Sequence, residues 1–399
     1  MKILQINSVY GVGSTGRIVQ DIETKITEHE YTSFVCYGRG DKKRHDHLFR
    51  IGSSYDNKIH GIMTRIFDNH GLSSTKATKD LINLIHDINP DIIHLHNIHG
   101  YYVNIKVLFD FLRDFKKPIV WTLHDCWAFT GHCAYFDYVN CDKWIHGCCK
   151  CPQKSEYPSS LWLDRSKQNY LLKKKAFSDI DNLTIVTPSK WLSNLVRKSF
   201  LSQNKIKVIN NGIDLTKFKM TTSEIKKNLG LQDKFVILGV ASVWAERKGL
   251  KYFIELADKL DQNYKIVLIG IKTEQKKILN EKIITIPRTD SIEELAQYYS
   301  MADVFINPTM EDNFPTTNIE ALACGTPVIT YNTGGSPETI NEHCGIVVEK
   351  GNVEELIHAI QRVKHGNVSS EAAAISSMDF DKNEKFEEYI QLYEELLNT

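Results

Sequence analysis

Two kinds of segment alternate along most of the chain. Short runs rich in isoleucine and valine, without polar alternation, are typical of strands buried on both faces of a parallel sheet. Longer amphipathic stretches such as 249–260 and 292–302 predict the connecting helices. Strands are predicted at 2–7, 31–37, 91–96, 118–124, 183–187, 206–210, 235–241, 264–269, 283–286, 303–307, 327–331 and 344–348. The pattern predicts an α/β protein with βα alternation in both halves.

The length of 399 residues exceeds what one ordinary hydrophobic core organises, so two domains are expected. A turn-rich segment, Asn210-Asn211-Gly212-Ile213-Asp214, lies between the two series of segments. We therefore predict one Rossmann-like domain over 1–205 and a second over 206–378. An amphipathic helix is predicted over 379–399.

Composition places the chain among ordinary globular proteins, with 42% apolar and 25% charged residues. No apolar run reaches the roughly 18 residues that a membrane-spanning helix needs. The N-terminal residues 1–7 are too short and too polar for a signal peptide and predict a first strand instead. We expect a cytoplasmic protein, where cysteines stay reduced.

Charge is distributed unevenly although its sum is zero. Residues 1–200 contain 27 Lys and Arg against 20 Asp and Glu, a net charge of +7, which leaves −7 for the remainder. A basic first half suits an anionic partner such as a membrane surface or a lipid pyrophosphate, and 167–175 is the candidate patch. A solvated helix face is the alternative. Nucleic-acid binding is not expected, because neither half is strongly basic and no recognised module occurs.

The segment 303–338 carries the most informative pattern. A predicted strand, a polar loop with Asp312, a helix with Glu320, another strand and Gly334-Gly335 follow one another. This order is how an open parallel sheet builds a ligand crevice outside its strand ends. Amides of 313–317 at a helix N-terminus would attract an anion, and a carboxylate one turn later can accept hydrogen bonds from ribose hydroxyls.

This segment resembles the signature of the GT-B glycosyltransferases of family 4, retaining enzymes that use nucleotide-sugars. The matching positions are Phe314, Pro315, Glu320, Ala321, Ala323, Gly325, Pro327, Val328, Gly334, Gly335 and Glu338. The chain departs from the family at Asp312, where the family has Glu, and at Asn313, where it has Gly. Glu311 could serve if the loop shifts by one residue. The resemblance implies two Rossmann-like domains facing each other across a cleft, with the helix at 379–399 crossing back to the first.

Arg247 and Lys248 follow the predicted strand 235–241 and open a helix. Arg, with its planar fork, and Lys, as a point charge, can hold a diphosphate and stabilise the charge that a leaving nucleoside diphosphate gains. The pair resembles an Arg-x4-Lys-Gly element of family 4, although here the two are contiguous. A plain helix start is the alternative.

A glycine loop, Gly11-x-Gly13-x-x-Gly16, follows the first strand. Its spacing matches the dinucleotide fingerprint, but the acidic residue expected near the end of the next strand is missing, so that interpretation is set aside. In family 4 the equivalent loop faces the donor phosphates, which implies donor contacts for Gly13 and Gly16. A tight βα turn is the alternative.

His124 and Asp125 leave the predicted strand 118–124 and resemble the family's Thr-x-His-Asp, whose histidine contacts the transferred sugar. His99 and Tyr101 follow another predicted strand and, with Asp125, are candidates for the acceptor side. Two alternatives stay open: a hydrogen-bonded core histidine at 124, and simple hydrogen bonding around the turn at 94–99. Metal binding by the 94–99 histidines ranks last.

Six of the nine cysteines fall within a predicted insert, 126–152. Cys133, Cys141, Cys148 and Cys151 form the best ligand set, since four thiolates would close a tetrahedral structural zinc site. Free thiols, an iron–sulfur cluster or disulfides are the alternatives. The stretch 127–133, Trp-x-Phe-Thr-Gly-x-Cys, is also similar to a subgroup of family 4 in bacterial surface-polysaccharide assembly, the colanic-acid glycosyltransferases.

The resemblance implies a role for each candidate. Arg247 and Lys248 would hold the diphosphate, Glu320 the ribose, and Asp312 the sugar; Asn313, Phe314, Pro315 and Thr316 would line the donor. His124, Asp312, Arg247 and Lys248 would be the catalytic set, with no cofactor required for catalysis because the cations replace Mg²⁺.

The acceptor implied is a glycan on polyprenyl pyrophosphate at the inner face of the cell membrane. The alternatives are a non-catalytic nucleotide-sugar-binding subunit and a GT-B sugar-nucleotide epimerase.

Overall fold

The computed structural model describes residues 1–41 and 46–398, which divide into two compact units. The first unit comprises 1–210 and 385–399, and the second comprises 211–384. Each unit contains one parallel sheet with helices that connect its strands. Among the described residues, none of the helices combines the length and the apolar character needed to cross a membrane.

The sheet of the first unit has, among the described residues, seven parallel strands in the order β3-β2-β1-β4-β5-β6-β7. Its strands are β1 (Lys2–Asn7), β2 (Thr32–Tyr37), β3 (Leu48–Arg50), β4 (Ile92–Leu95), β5 (Ile119–Thr122), β6 (Leu183–Thr187) and β7 (Lys205–Val208). The α-helices are α1 (Gly13–Glu28), α2 (Ser54–Phe67), α3 (Thr75–Ile88), α4 (Ile105–Asp114), α5 (Lys143–His146), α6 (Ser166–Phe177) and α7 (Lys190–Lys198).

The sheet of the second unit has six parallel strands within the described chain, in the order β10-β9-β8-β11-β12-β13. They are β8 (Phe235–Val240), β9 (Tyr264–Ile269), β10 (Ile283–Ile286), β11 (Val304–Asn307), β12 (Val328–Tyr331) and β13 (Gly345–Val348). Its helices are α8 (Ile225–Asn228), α9 (Leu250–Lys259), α10 (Thr273–Lys276), α11 (Ile292–Met301), α12 (Thr316–Ala323), α13 (Val353–Lys364) and α14 (Ser370–Ser377). The last helix, α15 (Lys382–Leu397), begins in this unit and continues into the first.

The predicted α/β class is confirmed, and each predicted strand occurs within one or two residues of its expected bounds. Two features differ from expectation. The short strand β3 was missed, because Leu48–Arg50 is too brief for a periodic signal. The strand expected at 206–210 was grouped with the second half, yet β7 pairs with β6 in the first sheet. The division between units accordingly falls after Asn210.

The helix α15 packs its apolar face into the first unit. Phe386, Tyr389, Ile390 and Tyr393 are buried with residues of β1, β4, β5 and β6. Its polar contacts reach the sheet as well, since the hydroxyl of Tyr393 lies 2.7 Å from Nδ1 of His94. The C-terminal helix therefore completes the core of the first unit.

Both strand orders reverse direction at one place, beside β1 and β4 in the first sheet and beside β8 and β11 in the second. At such a reversal the connections leave the sheet on opposite faces, and a crevice opens beyond the carboxyl ends of the two strands. The loops that follow these strands are therefore the places to look for a ligand site in each unit.

Candidate functional site

Two loops meet at the reversal point of the second sheet. β8 pairs directly with β11, so the segment after β8 (241–249) lies beside the segment after β11 (308–315). The first segment ends in a short 3-10 turn, Glu246–Lys248. The amide of Met310 donates to the carbonyl oxygen of Arg247 over 2.7 Å, which joins the two loops through their backbones.

Gly249 makes the close approach of these loops feasible. Its φ is +79°, and a Cβ added there would lie 2.2 Å from the carbonyl oxygen of Pro308. A side chain at this position would therefore push the loops apart. The glycine of the Arg-Lys-Gly sequence is required by packing, and it fixes where Arg247 and Lys248 leave the backbone.

The two cations are held by the opposite loop. Nζ of Lys248 lies 2.6 Å from Oδ2 of Asp312, and both side chains are mostly buried, with exposed fractions of 26% and 16%. Nη1 of Arg247 donates to the carbonyl oxygen of Glu311 over 3.2 Å. The predicted clamp and the predicted first carboxylate are thus brought together in one site.

The choice between Asp312 and Glu311 has a structural counterpart. Asp312 is partly exposed, pairs with Lys248 and accepts a hydrogen bond from the amide of Asn313 over 2.9 Å. Glu311 is only 3% exposed. Of the two carboxylates, that of Asp312 is the more exposed.

The helix α12 begins directly after this loop. Pro315 precedes it and offers no side-chain acceptor, so no side chain caps the helix, and the amides at such a helix N-terminus attract an anion. Glu320 lies one turn into the helix and accepts a hydrogen bond from the hydroxyl of Tyr299 over 3.0 Å. Burial raises the pKa of Tyr299 well above its ordinary value, so this hydroxyl keeps its proton and orients the carboxylate.

Three predicted donor-binding residues are less open than expected. Asn313, Phe314 and Pro315 are buried, and the ring of Phe314 packs 5.6 Å from that of Phe380 within the core of the second unit. Contacts of Phe314 with a ligand would therefore come from its backbone. Its side chain anchors the loop, a role that the sequence motif does not distinguish from binding.

Gly334 presses the glycine loop after β12 against the same site. Its φ is +57°, and a Cβ there would lie 1.7 Å from the carbonyl oxygen of Asp312. No side chain fits at that distance. The loop that carries Gly334 and Gly335 therefore supports Asp312 from behind, and the Gly-Gly pair of the motif has a packing reason.

In the first unit, the glycine loop follows β1 and leads into α1. The amide of Gly11 donates to the carbonyl oxygen of Gly16 over 2.8 Å, which closes the turn. Gly13 has a φ of +64°, and a Cβ built on it meets no described atom within 4 Å; at Gly16 the Cβ would lie 3.1 Å from the side chain of Val9. Gly13 is thus open to a ligand, whereas Gly16 is needed for packing.

His124 follows β5 and belongs to a row of imidazoles. Its Nε2 lies 3.2 Å from Nδ1 of His96, whose Nε2 in turn lies 3.2 Å from Oε1 of Gln5. Burial lowers the pKa of His124 to about 4. The imidazole is therefore neutral at pH 7 and can exchange a hydrogen bond with a ligand without carrying charge.

The other strand-end histidines have separate partners. His94 lies between the hydroxyls of Tyr393 and Thr122, at 2.7 and 2.8 Å. His99 lies 2.9 Å from Oδ2 of Asp125 and 3.0 Å from the hydroxyl of Tyr157. Hydrogen bonding thus accounts for His94 and His96, while His99 and Asp125, both predicted for the acceptor side, lie next to each other.

Residues that the sequence did not single out complete the surroundings of His99. The ring of His70 lies 5.0 Å from that of Tyr101, 5.5 Å from that of Tyr157 and 5.3 Å from that of Trp127. Tyr101 has a φ of +70°, which is strained for a residue with a side chain. His70 and Tyr157 lie in segments without a recognisable motif, so only the fold brings them here.

The expected basic patch at 167–175 is partly wrong. Lys173 is only 2% exposed; it donates to the carbonyl oxygens of Trp127 and Thr130 over 2.7 and 3.1 Å. Burial lowers its pKa to about 7, and the nearby Cys148 and Cys133 act in the opposite direction. Lys167, Lys174 and Lys175 remain exposed, as on an ordinary solvated helix face.

Cys133, Cys141, Cys148 and Cys151 line one pocket. As the side chains stand, no three His, Cys, Asp or Glu residues in 1–41 and 46–398 converge in an arrangement that could hold a metal ion. All nine cysteines, which lie within these ranges, are free thiols.

A cation pair and a carboxylate loop at the reversal point of a Rossmann-like unit are typical of α/β proteins that bind nucleotides. Residues 17–217 match the domain described as Glycosyltransferase Family 4, and 221–385 match Glycosyl transferases group 1. The first match covers half of the chain. The chain belongs to the family 4 glycosyltransferases.

Individual relatives agree with this assignment. WcaC of Escherichia coli K12 is named as a colanic acid biosynthesis glycosyl transferase. The chain is 24% identical to WcaC over an alignment of 438 positions, which covers 99% of this chain and 100% of WcaC. It is 27% identical to a Campylobacter jejuni N,N'-diacetylbacillosaminyl-diphospho-undecaprenol alpha-1,3-N-acetylgalactosaminyltransferase, covering 52% of this chain and 59% of the relative.

Solved structures share the fold. Sucrose-phosphate synthase of Thermosynechococcus elongatus superposes with a TM-score of 0.74 at 17% identity, over 100% of this chain and 99% of that one. Anabaena HepE in complex with UDP superposes with a TM-score of 0.69 at 16% identity, over 99% of this chain and 100% of that one. The expected GT-B fold is confirmed.

Replacement of Gly334 by alanine tests the support of Asp312. We expect Gly334→Ala to lower the free energy of unfolding by about 1–3 kcal/mol more than Gly230→Ala does, the range typical of overpacking. Gly230 is the matched control, because its φ is +66° and its added Cβ meets no described atom within 4 Å. Denaturant unfolding of both variants measures the difference, and equal losses would contradict the close approach.

Proposed function

We propose that the protein transfers a sugar from a nucleotide-diphosphate-sugar to a glycan acceptor, with retention of configuration at the anomeric carbon. The observation that carries the proposal is the meeting of Arg247, Lys248 and Asp312 at the carboxyl ends of β8 and β11. A cation pair beside a carboxylate and a helix N-terminus offers partners to both the diphosphate and the sugar of such a donor.

Each part of the donor has its own proposed partners in the site. Arg247 and Lys248 hold the diphosphate, with the first amides of α12, including that of Thr316, on the phosphate oxygens. Glu320, oriented by Tyr299, accepts hydrogen bonds from the ribose hydroxyls. Asp312 holds a hydroxyl of the sugar, and binding of the donor exchanges part of the Lys248–Asp312 contact for contacts with the donor.

The proposed reaction needs no nucleophile from the protein. The bond between the anomeric carbon and the phosphate oxygen breaks, and the acceptor oxygen bonds to that carbon from the same face. The acceptor's proton passes to the departing phosphate. Arg247 and Lys248 stabilise the charge that develops on that phosphate, which is the role of preorganised cations in such a site. No metal cofactor enters the proposal, because the two cations take that role.

The first unit supplies the acceptor side of the proposal. His124, neutral because burial lowers its pKa to about 4, exchanges a hydrogen bond with the transferred sugar. His99, Asp125 and Tyr101 contact the acceptor, and Nε2 of His99 lies 2.9 Å from Oδ2 of Asp125.

The acceptor we propose is an oligosaccharide on polyprenyl pyrophosphate, in the assembly of a bacterial surface polysaccharide. Support comes from the names of relatives: colanic acid biosynthesis for WcaC, a diphospho-undecaprenol acceptor for the Campylobacter enzyme, and capsular polysaccharide biosynthesis for Staphylococcus aureus CapM, 26% identical over 49% of this chain and 55% of CapM. Such an acceptor is anchored in a membrane, so the enzyme would work at the cytoplasmic face.

A surface on the first unit suits that location. Tyr55, Ile59 and Ile62 are exposed at helical spacing on α2, with exposed fractions of 71%, 41% and 53%. The loop Leu161-Trp162-Leu163 is also exposed and joins α2 through a hydrogen bond from the amide of Leu161 to the carbonyl oxygen of Arg65. We call α2 and this loop the apolar surface.

The charges on the apolar surface favour an anionic membrane. Lys58 and Arg65 are exposed on α2. Asp56 is engaged in the capping box at the start of that helix, where it accepts from the amide of Ser53. Lys154 donates to the carbonyl oxygen of Trp162 over 3.2 Å, which adds a cation beside the loop. Apolar insertion with flanking cations is typical of proteins that lie on lipid surfaces.

Loss of either clamp residue should impair both binding and turnover. We expect Arg247→Ala and Lys248→Ala each to weaken nucleoside-diphosphate binding and to lower kcat by about 10²-fold or more, the scale of losing a charge-stabilising donor. Calorimetric titration with UDP, GDP and ADP, then turnover of the matching donor, provides the measurement. Lys277→Ala, an exposed lysine of the same unit, is the control. Unchanged kinetics in either clamp variant would reject the assignment.

Substitutions of the two carboxylates should change different kinetic parameters. Glu320→Gln removes a charged acceptor and should raise the donor KM about 10–100-fold, from the roughly 1.5–3 kcal/mol of a charged hydrogen bond. Asp312→Asn should act mainly on kcat. Glu311→Gln is the comparison: if it abolishes turnover while Asp312→Asn is silent, the assignment of the sugar contact to Asp312 is wrong.

Vesicle binding tests the membrane contact. The protein should sediment with vesicles of anionic phosphatidylglycerol more than with vesicles of phosphatidylcholine, and salt should weaken the binding. Trp162→Glu and Ile62→Glu should reduce it several-fold. Ile375→Glu is the control, since Ile375 is 64% exposed in the second unit. Equal sedimentation of all variants would exclude the apolar surface as the contact.

A further inference from the structure

The segment between β5 and α6 contains four cysteines that line one pocket. Cys133, Cys141, Cys148 and Cys151 come from four positions spread over 133–151, yet they line the same pocket. The thiol of Cys133 hydrogen-bonds the sulfur of Cys151, and Cys148 is close enough to Cys141 and Cys151 to interact electrostatically with both. The presence of four cysteines around one pocket calls for a reason beyond apolar packing.

Backbone amides point at two of these sulfurs. The amide of Gly131 donates to Sγ of Cys148 over 3.1 Å, and the amide of Gln153 donates to the sulfur of Cys151. Amide hydrogen bonds favour the charged form of an acceptor, and they are the usual second layer around metal-bound ligands. A Cβ on Gly131 would lie 2.1 Å from the carbonyl oxygen of Ser166, so only glycine brings this amide to Cys148.

A buried cation completes the arrangement. Nζ of Lys173 lies 3.4 Å from the ring centre of Trp127, and the lysine interacts electrostatically with Cys148 and Cys133. The carboxylates of Asp125 and Asp68 interact electrostatically with this lysine as well. Four thiolates on a divalent cation carry two net negative charges, and this lysine would offset part of that charge.

We propose that Cys133, Cys141, Cys148 and Cys151 bind one Zn²⁺ in a structural tetrathiolate site. Four protein ligands leave no open position, so the ion would stabilise the fold rather than take part in the reaction. The side chains as placed do not converge for a metal. Binding therefore requires the four sulfurs to move to a common centre, about 2.3 Å from each.

Cys149 is the alternative ligand, and we exclude it because its side chain is exposed to solvent. It adjoins Cys148 and also lines the pocket, but its side chain is exposed, whereas Cys148 is half-buried and receives the Gly131 amide. Cys126 is buried and does not line the pocket. Cys149 and Cys126 are therefore not part of the proposed ligand set.

The site would hold the insert in place next to the acceptor side. The amide of Cys126, one residue after Asp125, donates to the carbonyl oxygen of Ala134, which directly follows Cys133. Fixing Cys133 would therefore also fix the chain that leaves His124 and Asp125. Donor-nucleotide binding belongs to residues of the other unit and should not depend on the metal.

Metal analysis of the full-length protein tests the proposal. Protein purified without added metal should contain about one zinc per chain, and exchange with Co²⁺ alone should give the intense visible and near-ultraviolet bands of tetrahedral thiolate cobalt. Cys151→Ser and Cys141→Ser should lose the zinc and melt at lower temperature. Cys149→Ser, the matched control, should keep both zinc and melting temperature.

Outcomes against the proposal are distinct. Absence of zinc with four freely titratable thiols in the native wild-type protein would reject it, as would bound iron with a cluster spectrum. Loss of zinc in Cys149→Ser would reject the ligand set. Should the cysteine variants fail to fold, release of zinc from the wild-type protein by a mercurial reagent, with one zinc freed per chain, decides the question. Nucleoside-diphosphate affinity measured on zinc-depleted protein should be unchanged, which separates this result from a failure of the donor site.

Discussion

The pairing of β8 with β11 is the constraint on which the donor site depends. Their adjacency in a sheet whose strand order reverses there brings two loops, separated by more than fifty residues in sequence, into backbone contact. Gly249 lets these two loops touch, and Gly334 lets the loop after β12 approach Asp312. The ion pair of Lys248 with Asp312 follows from this geometry, because the two loops bring the residues together.

The charged side chains of the site in the second unit are already oriented by protein partners. Lys248 has Asp312 as its partner, Arg247 has a backbone carbonyl, and Glu320 has Tyr299, so each charged group is oriented before a ligand arrives. Preorientation lowers the cost of ordering side chains on binding. Two cations beside a helix N-terminus favour a diphosphate over a neutral sugar.

The first unit concentrates buried polar groups at the ends of β4 and β5. His94, His96 and His124 form a row in which burial lowers each pKa, so the imidazoles stay neutral and hydrogen-bonded at pH 7. Further along, Asp68 and His132 are fully buried partners at 2.6 Å, and Lys173 is enclosed by carbonyls and an indole ring. Buried polar groups of this kind persist only when their partners are fixed, which gives the cysteine-bearing segment a reason to be rigid.

The sequence by itself determined the α/β class, the bounds of nearly all strands, and the segments that carry Arg247, Lys248, Asp312 and Glu320. It could do so because buried strands, helix starts and turns are specified by residues close together along the chain. Only the tertiary structure decided that Lys248 meets Asp312, that His99 meets Asp125 beside His70 and Tyr157, that β7 joins the first sheet, and that Lys173 is enclosed rather than exposed. These are contacts between residues distant in sequence, and they follow from strand order and packing, which local periodicity does not encode.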